Sequence, residues 1–247
     1  MISSPVQLTA KEVQRFHRNG FLGPFRLLAE TEMQQTGNQI LRSVRDVPGP
    51  YKKNPLTQRH LDQRTVYDLV TKPEIVERIK AILGPDLLLW ACTFWLKEPG
   101  GKEVPWHQDC NYWPMEPIIN VTAWIAVDPV TPTNGCLELI PGSHSSCVPH
   151  IPAEKGKWFT MEADPGHVNA SKAVKITLNP GEFILFNERV LHHSPVNATN
   201  TRRFVMGPRF TIPIVRIDHD KLFPGHRVIV VSGEDYMGFN QSTLPPG

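Results

Sequence analysis

The chain has 247 residues, 26 lysines and arginines against 24 aspartates and glutamates, and a formal net charge of +2. That length suits one large domain with a substantial core, read here as a single domain over residues 1–247. Near-neutral charge with no run of five basic residues gives no reason to expect nucleic acid or a membrane surface as partner.

In chain order, the opening MISSPVQLTAKEVQRF lacks a basic start followed by an apolar run, so no signal peptide is expected. Thr9 and Glu12 form a possible capping box for a helix that ends at Gly20. A second helix is predicted over about 30–45. A third starts at Pro73 and stops at Gly84, with Ile75, Ile79 and Ile82 on one side. From Asp86 the pattern changes to short runs rich in β-branched and aromatic residues: LLLWACTFWLK, NVTAWIAVD, CLELIP, AVKITL, EFILF and RRFVMGPRFTI. Prolines, 24 in all, and glycines punctuate these runs, which predicts a sandwich or barrel and not a βαβ fold. Residues 145–173 make a long irregular stretch of the kind that forms a lid over a site. Cys92, Cys110, Cys136 and Cys147 contain no C-x-x-C pair, and no apolar stretch is long enough to span a bilayer. The expected setting is the cytoplasm, with reduced thiols.

Two H-x-D sequences occur, HLD at His60–Asp62 and HQD at His107–Asp109. The first lies among charged residues in the helical third and is read as incidental. The second follows a strand, where residues separated by one point to the same face, so His107 and Asp109 can converge on one ion. A ferrous facial triad needs a second histidine and leaves three open positions. LHHSPVNATNTRRF offers His192 and His193, which alternation sends to opposite faces. Arg202 and Arg203 follow, and a buried guanidinium suits the far carboxylate of a dicarboxylic 2-oxo acid.

WHQD, NGCLELIPGSH, HHSPVNATNTRR and the opening FHRNGF stand in one order over most of the chain. Together they resemble the phytanoyl-CoA dioxygenase family of iron(II)- and 2-oxoglutarate-dependent oxygenases. The resemblance implies a mainly β fold with flanking helices around a double-stranded β-helix (jelly-roll, cupin-like) core. Fe(II) is the implied metal, 2-oxoglutarate the cosubstrate and O2 the oxidant. The family pattern H-G-S-x-x-N overlays on His192, His193, Ser194 and Asn197. It makes His192 the third ligand and Arg203, eleven residues on, the cosubstrate arginine, with His193 kept as the alternative. The likeness also implies cosubstrate contacts from Trp124, Ser194, Thr93 and Arg209, the last six residues after Arg203 in the same strand phase. Related halogenases lack the carboxylate; here Asp109 is present, which favours hydroxylation.

On the substrate side stand Asn111, Tyr112, Trp113 and Met115, with Trp95 and Lys97 on the neighbouring strand. The expected substrate is a small polar metabolite or biosynthetic intermediate. Other oxidations on the same scaffold, and a jelly roll that only binds, are the alternatives.

Overall fold

Apolar alternation in the second half of the chain produces two facing antiparallel sheets. The computed structural model describes residues 6–45, 47–50 and 55–247, so the first five residues of the N-terminal segment lie outside it. The N-terminal part contains α1 (Ala10–Asn19), β1 (Phe21–Arg26), α2 (Glu30–Arg45), α3 (Arg64–Val70) and α4 (Pro73–Leu83). The strands then run β2 (Leu87–Lys97), β3 (Val104–His107), β4 (Met115–Glu116), β5 (Val121–Ala126) and β6 (Leu137–Leu139). They continue with β7 (His150–Pro152), β8 (Met161–Ala163), β9 (Val174–Ile176), β10 (Glu182–Asn187) and β11 (His192–Ser194). β12 (Arg203–Thr211), β13 (Arg216–Ile217), the short α5 (His219–Leu222) and β14 (Ile229–Ser232) complete the order.

The major sheet has the order β1-β10-β5-β12-β2-β14 and the minor sheet β3-β11-β6-β9, a jelly-roll sandwich with helices on one side. The central strands serve two cores at once. Phe204, Met206, Phe183, Leu185, Ala123 and Ile125 face the helices and pack with Phe16, Met33, Ile40, Ile75 and Ile79. Val205, Ile184, Phe186, Trp124 and Ala126, of opposite phase, face Leu137 and Leu139 of the minor sheet. A strand with period 2 therefore delivers alternate residues to the space between the sheets, where Arg203 and Arg209 also point. Each large side chain buried on either face contributes about 2 kcal/mol.

The capping box of α1 is present: Thr9 Oγ1 accepts from the Glu12 N–H at 3.3 Å, and the Thr9 N–H donates to Glu12 Oε2 at 2.8 Å. Gly20 ends the helix at φ 82°. One element departs from the sequence pattern. Gly23 and Pro24 interrupt FLGPFR, and no strand is expected there; the structure makes it β1, the edge strand beside β10, with a register break between Leu22 and Phe25. An edge strand with a bulge tolerates proline's missing N–H. The 145–173 stretch contains the β7–β8 hairpin followed by two short 3-10 turns. Among the described residues no helix is long and apolar enough to cross a membrane.

Gly37, inside α2, shows how closely the helices sit on the sheet. A Cβ there would collide with the Val127 side chain and touch the Phe204 ring. Alanine normally stabilises a helix interior over glycine. Here Gly37→Ala should instead destabilise by about 1–3 kcal/mol through overpacking, seen as a melting temperature several degrees lower in thermal denaturation.

Candidate metal centre and cosubstrate pocket

β3 and β11 are neighbours in the minor sheet, and their register sets His192 directly opposite His107. The two imidazole centroids are 4.0 Å apart. β3 ends at His107. Gln108 keeps an extended backbone (φ −117°, ψ 130°), and Asp109 opens a 3-10 turn instead of continuing the strand as expected. The convergence still holds, because the extended Gln108 preserves the alternation up to Asp109. One ligand atom from each of His107, Asp109 and His192 lies within 4.8 Å of the others, and all three residues are buried. His193 points the other way. Its ring packs edge-on against Trp106 at 4.6 Å and approaches Glu138 at 3.8 Å.

The protonation pattern suits a metal. His107 Nδ1 is 2.8 Å from Pro105 O, and His192 Nδ1 is 2.8 Å from Val190 O. A carbonyl oxygen only accepts, so each Nδ1 carries a hydrogen and Nε2 is the ring nitrogen each imidazole turns towards the cluster. Burial, with His107 adding to it, holds His192 down at about 3, so it stays neutral. Burial works to raise Asp109, but the His107 imidazole at 3.6 Å, His192 and the Arg209 guanidinium outweigh it and hold the carboxyl at about 2. Two imidazoles and one carboxylate on one side are the donor set of a 2-His-1-carboxylate ferrous site.

These side chains line a cavity of about 40 Å³ together with Ser194, Arg203, Arg209, Trp124, Trp95 and Phe159. At one end, buried Arg203 donates through Nη1 to Gly135 O and, at 3.1 Å, to Ser194 Oγ, and its guanidinium lies 5.5 Å from the Trp124 ring. Its Nε has no partner. Arg209 donates to Thr93 Oγ1 at 3.0 Å and lies 5.1 Å from the Trp113 ring, again with Nε unpartnered. Burial depresses both guanidinium pKa values, Arg203 to about 10. Neither makes an ion pair among the described residues. A dicarboxylate fits this end of the cavity, where buried donors stand without an anion.

The residues expected on the substrate side divide. Trp95 lines the cavity, and Tyr112 lies 5.9 Å from His107, with its hydroxyl donating to Met161 O at 2.8 Å. Trp113 is turned away against Trp90, at 5.0 Å, and Met115 packs in the same cluster. Asn111 is exposed, its amide 3.5 Å from His150. Lys97 is 2% exposed and directed at the Ser194 turn instead of a substrate. His60 of the other H-x-D motif is buried elsewhere, beside Arg59, and belongs to no metal cluster among the described residues.

Two further residues of the site were not singled out from the sequence. Phe159, at the tip of the β7–β8 hairpin, stacks edge-on over His107 at 4.8 Å and reaches Tyr112 at 5.2 Å. The Trp158 N–H donates to Glu103 O at 2.8 Å and ties that tip down. Gln108, the middle letter of HQD, is fully buried. Its amide donates to Ser146 O at 2.8 Å and Arg189 O at 2.6 Å and accepts from the Val148 N–H at 2.8 Å. The signal for Gln108 is its place between two ligands: alternation must point it away from the metal.

The jelly roll thus brings this triad and these buried arginines to one cavity. The model of the phytanoyl-CoA dioxygenase (PhyH) family matches residues 16–205, and the chain belongs to that family. Peroxisomal phytanoyl-CoA dioxygenase of Homo sapiens is 26% identical over 211 residues, which cover 81% of this chain but only 61% of the human protein. Methylphosphonate hydroxylase of Gimesia maris is 26% identical over 214 residues, 79% of this chain and 78% of that protein. Among solved structures, CytC3 with Fe(II) and alpha-ketoglutarate has the same fold, with TM-score 0.77 and 24% identity over 97% of this chain and 94% of that one.

Replacing His107, Asp109 or His192 by alanine should lower Fe(II) affinity more than about 100-fold, beyond the loss typical of a supporting partner. His193→Ala should stay close to the parent. Anaerobic calorimetric titration with Fe(II) measures both, and a metal-dead His193→Ala beside a competent His192→Ala would reverse the assignment.

Proposed function

We propose that the protein hydroxylates an unactivated C–H bond of a small polar metabolite or biosynthetic intermediate, consuming 2-oxoglutarate and O2 and releasing succinate and CO2. The observation that carries this reading is the buried His107/Asp109/His192 cluster in the same cavity as Arg203 and Ser194. A module that only binds has no need of all five groups.

The three ligands would hold Fe(II) on one side, leaving the other side for small molecules. Iron, when bound, supplies the oxidative chemistry, and the chain supplies binding, orientation and exclusion of water. Arg203, seated on the Ser194 hydroxyl, takes the far carboxylate of 2-oxoglutarate, with Trp124 packed against the guanidinium. Arg209, steadied by the Thr93 hydroxyl, takes the end nearer Asp109. Asp109 itself occupies the position a halide would need, which favours hydroxylation over halogenation. Trp95, Tyr112 and Phe159 form the wall a substrate meets, and Phe159 over His107 keeps bulk water off the metal side. A small polar substrate is supported by the tight cavity and by relatives described as a methylphosphonate hydroxylase and a probable alpha-ketoglutarate-dependent hypophosphite dioxygenase, the latter 28% identical over 152 residues.

Incubation with Fe(II), 2-oxoglutarate and O2 should release succinate, and a substrate from a metabolite panel should raise that release and gain one oxygen in mass. A product lighter by two hydrogens would replace hydroxylation with another oxidation, and absence of succinate under every condition would remove the reading. Arg203→Ala should raise the KM for 2-oxoglutarate by about 10-fold or more, the loss of a charge-assisted contact of roughly 1.5–3 kcal/mol. Phe159→Ala should increase succinate release uncoupled from substrate, measured as the ratio of succinate to oxidised product.

A further inference from the structure

Lys97 is a buried cation that the catalytic reading leaves without a task. It ends β2 directly opposite Arg203 on β12, and both point between the sheets. Its Nζ donates to Ser194 Oγ at 2.7 Å, Ser194 O at 3.1 Å and Pro195 O at 2.6 Å. An ammonium has three hydrogens and no lone pair, so its donors are all engaged by the Ser194–Pro195 turn. Lys97 does not line the cavity and makes no ion pair among the described residues. Its charge stands beside that of Arg203 with no buried carboxylate paired to either. Burial holds the ammonium down at about 7, and the neighbouring Arg203 adds to this while Glu103 opposes it.

The polarity of these bonds has a consequence for Ser194. Its Oγ accepts from Lys97 and, at 3.1 Å, from Arg203 Nη1. With both acceptor positions taken by obligate donors, the single hydroxyl hydrogen must point away from both cations. It is directed to Gly135 O at 2.7 Å, the same carbonyl that receives Arg203. Gly135 permits this crowding: a Cβ there would run into Pro195 O and lie 3.2 Å from Lys97 Nζ. A neutral side chain at position 97 would free the hydroxyl to rotate and remove one of two positive charges from this end of the pocket.

We propose that Lys97 is a positioning residue for the distal carboxylate of 2-oxoglutarate: together with Gly135 O it fixes the Ser194 hydroxyl on which the Arg203 guanidinium rests, and it adds its charge to that of Arg203. The inference rests on the 2-oxoglutarate reading above, and one comparison separates the two. 2-Oxopentanoate has the same 2-oxo acid head and chain length but no distal carboxylate.

Binding of both acids to the Fe(II)-loaded protein is measured by calorimetry without oxygen, alongside Fe(II) affinity and melting temperature. The parent should prefer 2-oxoglutarate strongly. Lys97→Met should lose about 10-fold or more in 2-oxoglutarate affinity, with 2-oxopentanoate and Fe(II) binding little changed. Lys97→Arg, which keeps the charge, should retain most of the preference. Lys97→Gln, which keeps a donor without charge, should fall between Met and the parent, and it carries the test if Lys97→Met does not fold. Equal losses for both acids in the Met or Gln variant would make Lys97 a structural tie and overturn the inference. An unaltered preference in those variants overturns it as well. A parent protein that binds neither acid overturns the 2-oxoglutarate reading and this inference together.

Discussion

The site depends on one register. β3 and β11 pair so that His107 and His192 stand across from each other, and everything else at the centre is referred to that pair. Because side chains alternate, slipping β11 by one residue would turn His192 out and bring His193 in. The slip is opposed from both sides of the strand. His193 is already packed on Trp106 and close to Glu138, and His192 Nδ1 is already satisfied by Val190 O. Apolar packing on one face and a satisfied imidazole on the other thus specify the same register.

The same alternation explains how strongly polar groups come to lie inside a protein of ordinary composition. β12 sends Phe204, Met206 and Phe210 towards the helices, so Arg203 and Arg209, of opposite phase, have only the space between the sheets to enter. Burying a cation without a partner costs several kcal/mol, and Arg203, Arg209 and Lys97 share one neighbourhood with Asp109 as the principal ionised acid. Glu188, also buried, has its pKa raised by burial to about 7 and so offers less negative charge than an ordinary glutamate. A pocket so short of negative charge, before any metal adds to the imbalance, is built to receive an anion. The fold accepts that cost because large apolar cores flank the sheets on both faces.

Sequence pattern made much of this legible, and where it fell short the reasons are physical. Helix limits were readable because caps act locally: Thr9 with Glu12 at one end of α1 and Gly20 at the other. The long β12 was readable because its alternation runs through nine residues. His107 and Asp109 stood out because extended spacing brings them together without long-range information. The choice between His192 and His193 was not available from periodicity, since either phase of a three-residue strand is equally regular; the family resemblance favours His192, and the pairing sets that residue opposite His107. β1 was hidden by Gly23 and Pro24, which read as punctuation until the bulge that accommodates them is seen. The placement of Lys97, expected on the substrate side, and the part played by Phe159 were opaque for a different reason. The partners of Lys97 lie 97 and 98 residues away, and Phe159 sits in a hairpin tip with no period to mark it.

Gln108 shows how the triad stays assembled through contacts of the chain alone. Flanked by His107 and Asp109, its side chain must leave the opposite face of the strand, and there one amide bonds three backbone groups on two segments. Arg189 O belongs to the turn that leads into His192; Ser146 O and the Val148 N–H belong to the stretch that leads into the β7–β8 hairpin. An amide buried with both its ends satisfied is rigid, because any rotation leaves a donor or acceptor unpaired at a cost of about 1–3 kcal/mol. The residue between the ligands therefore holds the strand that carries the third ligand and the hairpin that carries Phe159. One side chain thus ties the strand of His192 to the segment that carries the β7–β8 hairpin. That is why three residues from two segments, 83 residues apart at the histidine-to-aspartate separation 192 − 109, converge within 4.8 Å before any ion is considered.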